Sequence, residues 1–208
     1  MSLSGDYGET LVSPDDLAAF TPLVRRHLGE RPTKAEVYDL EQEIERQTET
    51  DLLLSVLEGT LTVADLLTDS FVRELHSRLY ADVWLWGGRF RARELNIGVP
   101  PETIMTELHM SLGNLAYRWE HTQDWSPREL GIAVHAETVR IHPFVDGNGR
   151  STRLLGQLVF VAAQPGPGVE VFDWDIDKEA YVRALRRYDV SRDPRELVQL
   201  VDLLPVED

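Results

Sequence analysis

The segment from His142 to Arg153 concentrates side chains suited to phosphate chemistry. It reads His-Pro-Phe-Val-Asp-Gly-Asn-Gly-Arg-Ser-Thr-Arg and lies between two predicted helices. A glycine-containing turn that enters a helix presents unpaired backbone N–H groups and the positive end of the helix dipole, and together these bind anions. We therefore predict a phosphate cradle here, with Gly147 and Gly149 supplying the permissive backbone.

Four side chains around this turn add to the chemistry. Arg150 and Arg153 lie three residues apart on the following helix, so both guanidinium groups project from one face and can hold a polyphosphate. Asp146 supplies a hard oxygen ligand for Mg²⁺ that arrives with nucleotide phosphates. His142, with an ordinary pKa of about 6.5, suits a general base for an attacking hydroxyl. Phosphoryl-type transfer depends mainly on positioning and charge neutralisation, so this set is close to sufficient.

Other phosphate and metal motifs do not fit the segment. A Walker loop needs Gly-Lys-Ser/Thr, which is absent. An EF-hand loop beginning at Asp146 would place Arg150 at its fifth position and Gln157 at its twelfth, which does not suit calcium. A structural corner with surface arginines is the alternative interpretation for any single residue, but it does not account for the whole ordered set.

Composition limits the classes of partner. The 208 residues are 42% hydrophobic, which is enough for one domain with a sizeable core. The formal charge of −15 argues against sequence-independent binding to nucleic acid, and the lack of cysteine excludes disulfides and thiolate metal sites. No stretch approaches the roughly 18 apolar residues of a membrane span, and the first residues do not resemble a signal peptide. We expect a cytoplasmic protein that contacts neither nucleic acid nor a membrane.

Apolar spacing and capping residues predict a mainly α-helical chain around the motif. The predicted helices cover residues 13–27, 33–57, 68–79, 100–121, 126–141, 147–161, 177–188 and 194–204. Residues 90–99 are short, partly alternating and bounded by Gly and Pro, which indicates a small hairpin.

The ordered residues match the full signature of the Fic family, His-x-Phe-x-Asp/Glu-Gly-Asn-Gly-Arg-x-x-Arg. Similar residues continue upstream through Leu66–His76, Asp82–Arg91 and Asn96–Pro101, so the resemblance covers roughly residues 35–165. The chain most resembles the bacterial branch called mobile mystery protein B. The resemblance implies an all-α Fic fold, a helical bundle with a small β-hairpin flap. We accordingly expect an N-terminal helical arm over 1–60 with an inhibitory role, a Fic core over 61–165, and C-terminal helices over 166–208 packed on that core.

The resemblance also implies a protein adenylyltransferase, which moves AMP from ATP onto a Tyr, Thr or Ser hydroxyl of a target protein. By position, His142 would deprotonate the target hydroxyl and Asp146 would hold Mg²⁺ between the α- and β-phosphates. The remaining motif residues would bind the nucleotide: Gly147, Asn148 and Gly149 in the anion hole, Arg150 on the phosphates and Arg153 on the γ-phosphate. In the family the flap pairs with an extended target segment as an added strand. Its residues here would be Arg91, Asn96, Ile97, Gly98 and Val99.

Many Fic proteins also carry an inhibitory helix with Ser/Thr-x-x-x-Glu-Gly/Asn, whose glutamate pairs with the second arginine of the motif. Two candidates match in part. Glu58 lies in Leu-Ser-Val-Leu-Glu-Gly, which has Leu where Ser or Thr is expected, and Glu41 lies in a Leu-Glu-Gln segment like that of the most similar branch. A carboxylate against Arg153 would compete with a phosphate for the same guanidinium. An exposed or capping glutamate is the alternative interpretation of each.

Two other functions stay open at this point. One is a related transfer with another donor, such as UTP, a phosphocholine conjugate, or phosphate as in Doc toxins, although the intact Gly-Asn-Gly argues against a Doc-like kinase. The other is a nucleotide-sensing interaction module of a toxin–antitoxin or mobile-element system, with an antitoxin or a second copy as partner. The presence of His142 argues against that module, because binding alone needs no base.

Overall fold

The computed structural model describes residues 11–29, 31–166 and 168–206, so the first ten residues of the predicted arm lie outside the described part. The all-α class is confirmed. The described helices are α1 Pro14–Ala19, α2 Pro22–Leu28, α3 Lys34–Leu57, α4 Val63–Leu66, α5 Asp69–Tyr80, α6 Ile104–His121, α7 Pro127–Ile141, α8 Asn148–Ala163, α9 Lys178–Ser191 and α10 Arg195–Leu200, with a 3₁₀ turn at Pro101–Thr103. Strands β1 Glu170–Phe172 and β2 Leu203–Pro205 pair antiparallel. None of these helices has the length and apolar character needed to cross a membrane.

Helices α7 and α8 form the centre of the fold and hold the two ends of the motif. A Cβ on Gly131 of α7 would lie 2.7 Å from the Gly156 carbonyl oxygen of α8, and a Cβ on Gly156 would lie 2.8 Å from that of Gly131. The two backbones can approach this closely only because both residues are glycine. Since His142 follows α7 directly and Asn148 begins α8, this contact fixes both sides of the motif loop.

Local capping explains where most helices begin. Thr33 with Glu36 and Ser126 with Glu129 form the reciprocal capping boxes that start α3 and α7. The single helix predicted over residues 13–27 is instead two helices. Thr21 caps a new helix with Pro22 at its first position, a place where a missing N–H is tolerated. The last predicted helix, 194–204, ends at Leu200, and its final residues form β2.

The segment predicted as a hairpin contains no strand between residues 90 and 99. Its main-chain donors pair with the motif loop rather than with each other. Arg91 N donates to the Pro143 carbonyl at 2.9 Å, and Val99 N donates to the Ile141 carbonyl at 3.2 Å. The flap is therefore an irregular loop attached at both ends to residues that flank His142.

Within the described part of the arm, α1 and α2 pack on α3 and on the segment after α5. The buried apolar residues of these parts form one small cluster, made of Val12, Phe20, Val24, Val37 and Val83. Main-chain hydrogen bonds join Thr21 N to the Val83 carbonyl at 2.9 Å and Leu85 N to the Ala19 carbonyl at 2.8 Å. The arm thus fixes the position of Trp84, which lies between these bonds. The division of the chain at residues 60 and 165 stays a prediction.

Candidate active site

The start of α8 presents a set of unpartnered amides. Gly147 is its N-cap with φ of 72°, and a Cβ there would lie 2.5 Å from the Tyr80 ring, so the position requires glycine for both conformation and space. The amides of Asn148, Gly149 and Arg150 donate to no acceptor in the described residues, as is usual for a first helical turn. Space is open around Gly149. Unpartnered amides at a helix N-terminus are suited to bind an anion, and the nucleotide-binding role of these residues stays a prediction.

Asn148 contributes differently with its side chain and with its amide. The side chain is buried, and its Oδ1 accepts from Phe144 N at 2.9 Å while its Nδ2 donates to the Phe144 carbonyl at 2.8 Å. These two bonds close the motif loop on itself. The side chain therefore shapes the loop, and only the backbone of Asn148 faces the anion site.

His142 lies beside this site in an uncommon backbone conformation. It caps the end of α7 with φ of 52° and ψ of 62°, the left-handed region that residues other than glycine rarely adopt. Burial lowers the pKa of the half-buried His142 imidazole, and the nearby Arg91 guanidinium lowers it further. The imidazole is consequently neutral near pH 7 and able to accept a proton.

Asp146 has the chemistry of a magnesium ligand. Its carboxylate is exposed, and Oδ1 accepts from Gly147 N at 2.6 Å while Oδ2 accepts from no described residue. One free carboxylate oxygen beside an anion site fits Mg²⁺, which proteins often bind through one or two carboxylates and substrate phosphates. The described residues contain no group of three or more His, Cys, Asp or Glu placed to hold a metal without such phosphates.

A residue to which sequence reasoning gave no role holds the carbonyl of Asp146. His76 of α5 accepts from Gly88 N through Nδ1 at 3.0 Å, so its Nε2 carries the proton and donates to the Asp146 carbonyl at 3.0 Å. Its ring also stacks on Phe144 with centroids 3.5 Å apart. The contacts are long-range, so no local pattern in α5 could reveal them.

Two buried histidines make the stability of the fold depend on pH. Burial lowers the pKa of His76 to about 4 and that of His135 to about 3. Unfolded histidines titrate near pH 6.5, so the stabilisation is complete above about pH 6.5 and is lost as the pH falls towards about 4 and 3. We expect urea denaturation to show that the free energy of unfolding falls by roughly 1 to 2 kcal/mol per buried histidine between about pH 6.5 and pH 5. His76→Asn should make the free energy of unfolding depend less on pH, whereas His109→Asn, a change at an exposed histidine, should not. An equal pH dependence in the two variants would contradict the role of the buried His76.

The first arginine of the motif is bound to a carboxylate of the N-terminal arm. Arg150 Nη1 lies 2.7 Å from Glu41 Oε2 and 3.9 Å from Glu45 Oε2. The buried Glu41 also accepts from the Trp84 indole Nε1 at 2.6 Å. Arg153 donates through Nε to the Gly149 carbonyl at 3.2 Å and forms no ion pair with a described residue. Glu41 therefore pairs with the first arginine, whereas the resemblance implied a pairing with the second.

Glu58, the other candidate, lies far from the motif arginines. It caps the opposite end of α3, is exposed, and forms no ion pair in the part of the chain that the structure describes. A helix rises about 1.5 Å per residue, so Glu58 lies on the order of 25 Å from Glu41 along the axis. Only one of the two can contact the motif while α3 keeps this position.

A cavity of about 380 Å³ adjoins the two arginines. Its lining includes Glu45, Glu49 and Trp174. Burial raises the pKa of Glu45 against the opposing charges of the two arginines, and burial and the Glu45 charge raise the pKa of Glu49. Glu41, Glu45 and Glu49 follow one another at four-residue spacing, a helical-face pattern that sequence reasoning missed. Trp174 lies in an aperiodic segment and gave no such signal.

The predicted flap residues separate into two groups. Asn96, Ile97 and Gly98 are exposed, Val99 is half-buried, and docking of a target by these four stays a prediction. Arg91 is 3% exposed, and its guanidinium donates to main-chain carbonyls. Its side chain is not available on the surface to contact a target.

A model of the Fic/DOC family matches residues 66–160, which contain the whole motif loop. Residues 66–160, a little under half of the chain, are therefore identified as a Fic/DOC domain. Helices α5, α6 and α7 lie within this region, and α8 begins in it. The more specific likeness to the mobile mystery protein B branch stays a prediction.

Relatives of the chain include proteins named protein adenylyltransferase Fic. Those of Drosophila ananassae and Drosophila melanogaster are each 32% identical over 116 residues, or 54% of this chain. The matches cover 23% and 24% of those proteins, so the chain spans about a quarter of the length of these curated relatives. The similarity is therefore limited to one region of those longer proteins.

Solved Fic domains share the fold. A Fic-domain signalling protein of Bacteroides thetaiotaomicron is 25% identical with a TM-score of 0.59, covering 85% of this chain and 68% of that one. BepC of Bartonella tribocorum, solved with bound AMPPNP, is 15% identical with a TM-score of 0.52, covering 80% of this chain and 89% of its own. The second likeness shows the shared fold alone.

Proposed function

We propose that this protein transfers AMP from ATP to the hydroxyl of a Tyr, Thr or Ser side chain in a target protein. The observation that carries the proposal is the set of unpartnered amides at the start of α8, with an imidazole and a carboxylate on the same short loop. Relatives named protein adenylyltransferase and the AMPPNP bound to BepC support the choice of nucleotide and reaction.

The reaction assigns a role to each part of the loop. His142 accepts the proton of the target hydroxyl while the hydroxyl oxygen forms a bond to the α-phosphorus of ATP. The bond from that phosphorus to the bridging oxygen breaks, and pyrophosphate leaves. The amides of Asn148, Gly149 and Arg150 stabilise the charge on the phosphate oxygens. Mg²⁺, held by Asp146 and the phosphates, would neutralise part of the polyphosphate charge.

We propose further that the described state is autoinhibited. Glu41 binds Arg150, Glu45 lies 3.9 Å from the same guanidinium, and Glu49 lines the cavity beside both motif arginines, so carboxylates border the groups that would hold a triphosphate. Arg150 can bind nucleotide phosphates fully only after it releases Glu41, because both ligands use the same guanidinium. The regulatory role predicted for Glu41 is therefore supported by contact, whereas Glu58 has no contact that supports one.

Labelled nucleotides separate this reaction from its alternatives. With ATP labelled at the α-phosphate, we expect protein to become labelled in the presence of Mg²⁺; with ATP labelled at the γ-phosphate, we expect no label. A phosphate-transferring enzyme would give the reverse pattern, and a UMP-transferring enzyme would label only from UTP. Autoradiography with the protein and a bacterial lysate as target source is the measurement. If nucleotide binds but neither the wild type nor an activated variant labels protein, the interaction module replaces the enzyme.

A further inference from the structure

Arg91 carries a buried positive charge at the base of the flap without an ion-pair partner in the described residues. Its guanidinium donates to four main-chain carbonyls. Nε donates to His142 at 2.7 Å, Nη1 to Arg93 at 3.1 Å, and Nη2 to Val99 and, at 3.5 Å, to Ile141. A buried charge is unfavourable unless polar groups compensate it, so these carbonyls and the guanidinium hold one another in place.

The partners of Arg91 flank the base of the proposed reaction. Its side chain binds the His142 carbonyl, and its own main-chain N–H binds the next carbonyl, that of Pro143, at 2.9 Å. His142 is held in the left-handed region, which is unfavourable for a residue with a side chain and persists only where surrounding contacts fix it. A Cβ at Gly98 would lie 2.7 Å from both Arg91 Nη2 and His142 Cβ, so the flap turn packs directly against the base.

Arg91 also affects the proton equilibrium of His142. Among the described residues, the charged groups that act on the His142 imidazole are Arg91 from the flap and Asp146 from the motif loop. Burial and Arg91 favour the neutral ring, and a hydrogen bond to the Val139 backbone and the Asp146 charge favour the protonated one. The guanidinium therefore acts on the base through both geometry and charge.

We propose that Arg91 is a positioning residue for His142, which fixes the backbone of the base beside the start of α8, rather than a residue that docks the target. The inference rests on the proposed function for its catalytic meaning. The effects of Arg91 on the conformation and the pKa of His142 can be measured without catalytic turnover.

The test compares Arg91→Gln and Arg91→Lys with Arg93→Gln, a matched change of an exposed arginine two residues away. The His142 ring is followed by NMR titration without nucleotide, and AMP transfer is followed as a function of pH. In Arg91→Gln we expect the His142 pKa to rise towards its ordinary value and kcat near pH 7 to fall on the order of 100-fold, with the Kd for ATP unchanged. Arg91→Lys keeps the charge but loses the fork, so kcat should fall while the His142 pKa stays near that of wild type.

The outcomes separate this inference from the proposed function. An unchanged His142 pKa in Arg91→Gln, relative to Arg93→Gln, overturns the electrostatic role whether or not the wild type transfers AMP. A kcat for Arg91→Lys equal to that of Arg93→Gln overturns the positioning role. If Arg91→Gln does not fold, the Arg91→Lys variant tests the positioning role. Because lysine keeps the positive charge, the His142 pKa should stay the same, and any fall in kcat reports the lost hydrogen bonds. If Arg91→Gln raises the His142 pKa but the wild-type protein transfers no AMP, the proposed reaction is wrong, and the interaction between Arg91 and His142 is still supported.

Discussion

Changing Glu41 to glutamine is expected to raise AMP incorporation by about tenfold. Glutamine keeps the oxygen that accepts from Trp84 but removes the charge that holds Arg150, which is then free to bind nucleotide phosphates. The measurement is the rate of label incorporation from α-labelled ATP, together with the Kd for ATP. The Tm without nucleotide should fall, because the partly buried Arg150 loses its partner, and ATP should restore it.

Two matched variants test whether position on α3 decides this effect. Glu43→Gln removes an exposed carboxylate that pairs only with Arg46 in the described residues, and Glu58→Gln removes the second candidate at the far end of the helix. Both should label at the wild-type rate. Activation by Glu58→Gln with no response to Glu41→Gln would contradict the assignment and indicate that α3 occupies another position in solution.

Changing His142 to alanine is expected to reduce AMP transfer by about 10²- to 10⁴-fold, the usual contribution of a general base, with little change in the Kd for ATP. Because the pKa of His142 is lowered, mainly by burial, the wild-type rate should persist below the ordinary histidine pKa and fall only as the base becomes protonated at lower pH. Rapid-quench measurements of the AMP-transfer rate at a series of acidic pH values test this expected decrease.

The control for this change is His109→Ala, which removes a histidine that is 82% exposed on α6 and should leave transfer unaffected. A His142→Ala protein that binds ATP and keeps the full biological effect of the wild type would favour the nucleotide-sensing interaction module. A protein that binds ATP but loses both transfer and effect would favour catalysis.

Sequence reasoning predicted the features that depend on neighbouring residues. The caps Thr33 and Ser126 predicted the starts of two helices, and the glycines of the motif predicted the turn that begins α8. The choice between Glu41 and Glu58 could not be made in this way. Both lie on or next to one helix, and only the way α3 packs across α8 determines which carboxylate meets an arginine. The prediction of a hairpin at the flap was wrong for a similar reason, because the main-chain N–H groups of Arg91 and Val99 pair with residues more than forty positions away.

The facing glycines of α7 and α8 make the active site sensitive to residues outside it. The two helices run antiparallel from Gly131 and Gly156 to the motif loop, a distance of about 12 to 15 Å at helical rise. A methyl group at either glycine would therefore force the two helices apart at this contact. The separation would be transmitted to the loop, where the imidazole on one helix end must stay in reach of phosphate bound at the other. Alanine at either glycine would thus impair chemistry from a place that touches neither nucleotide nor target.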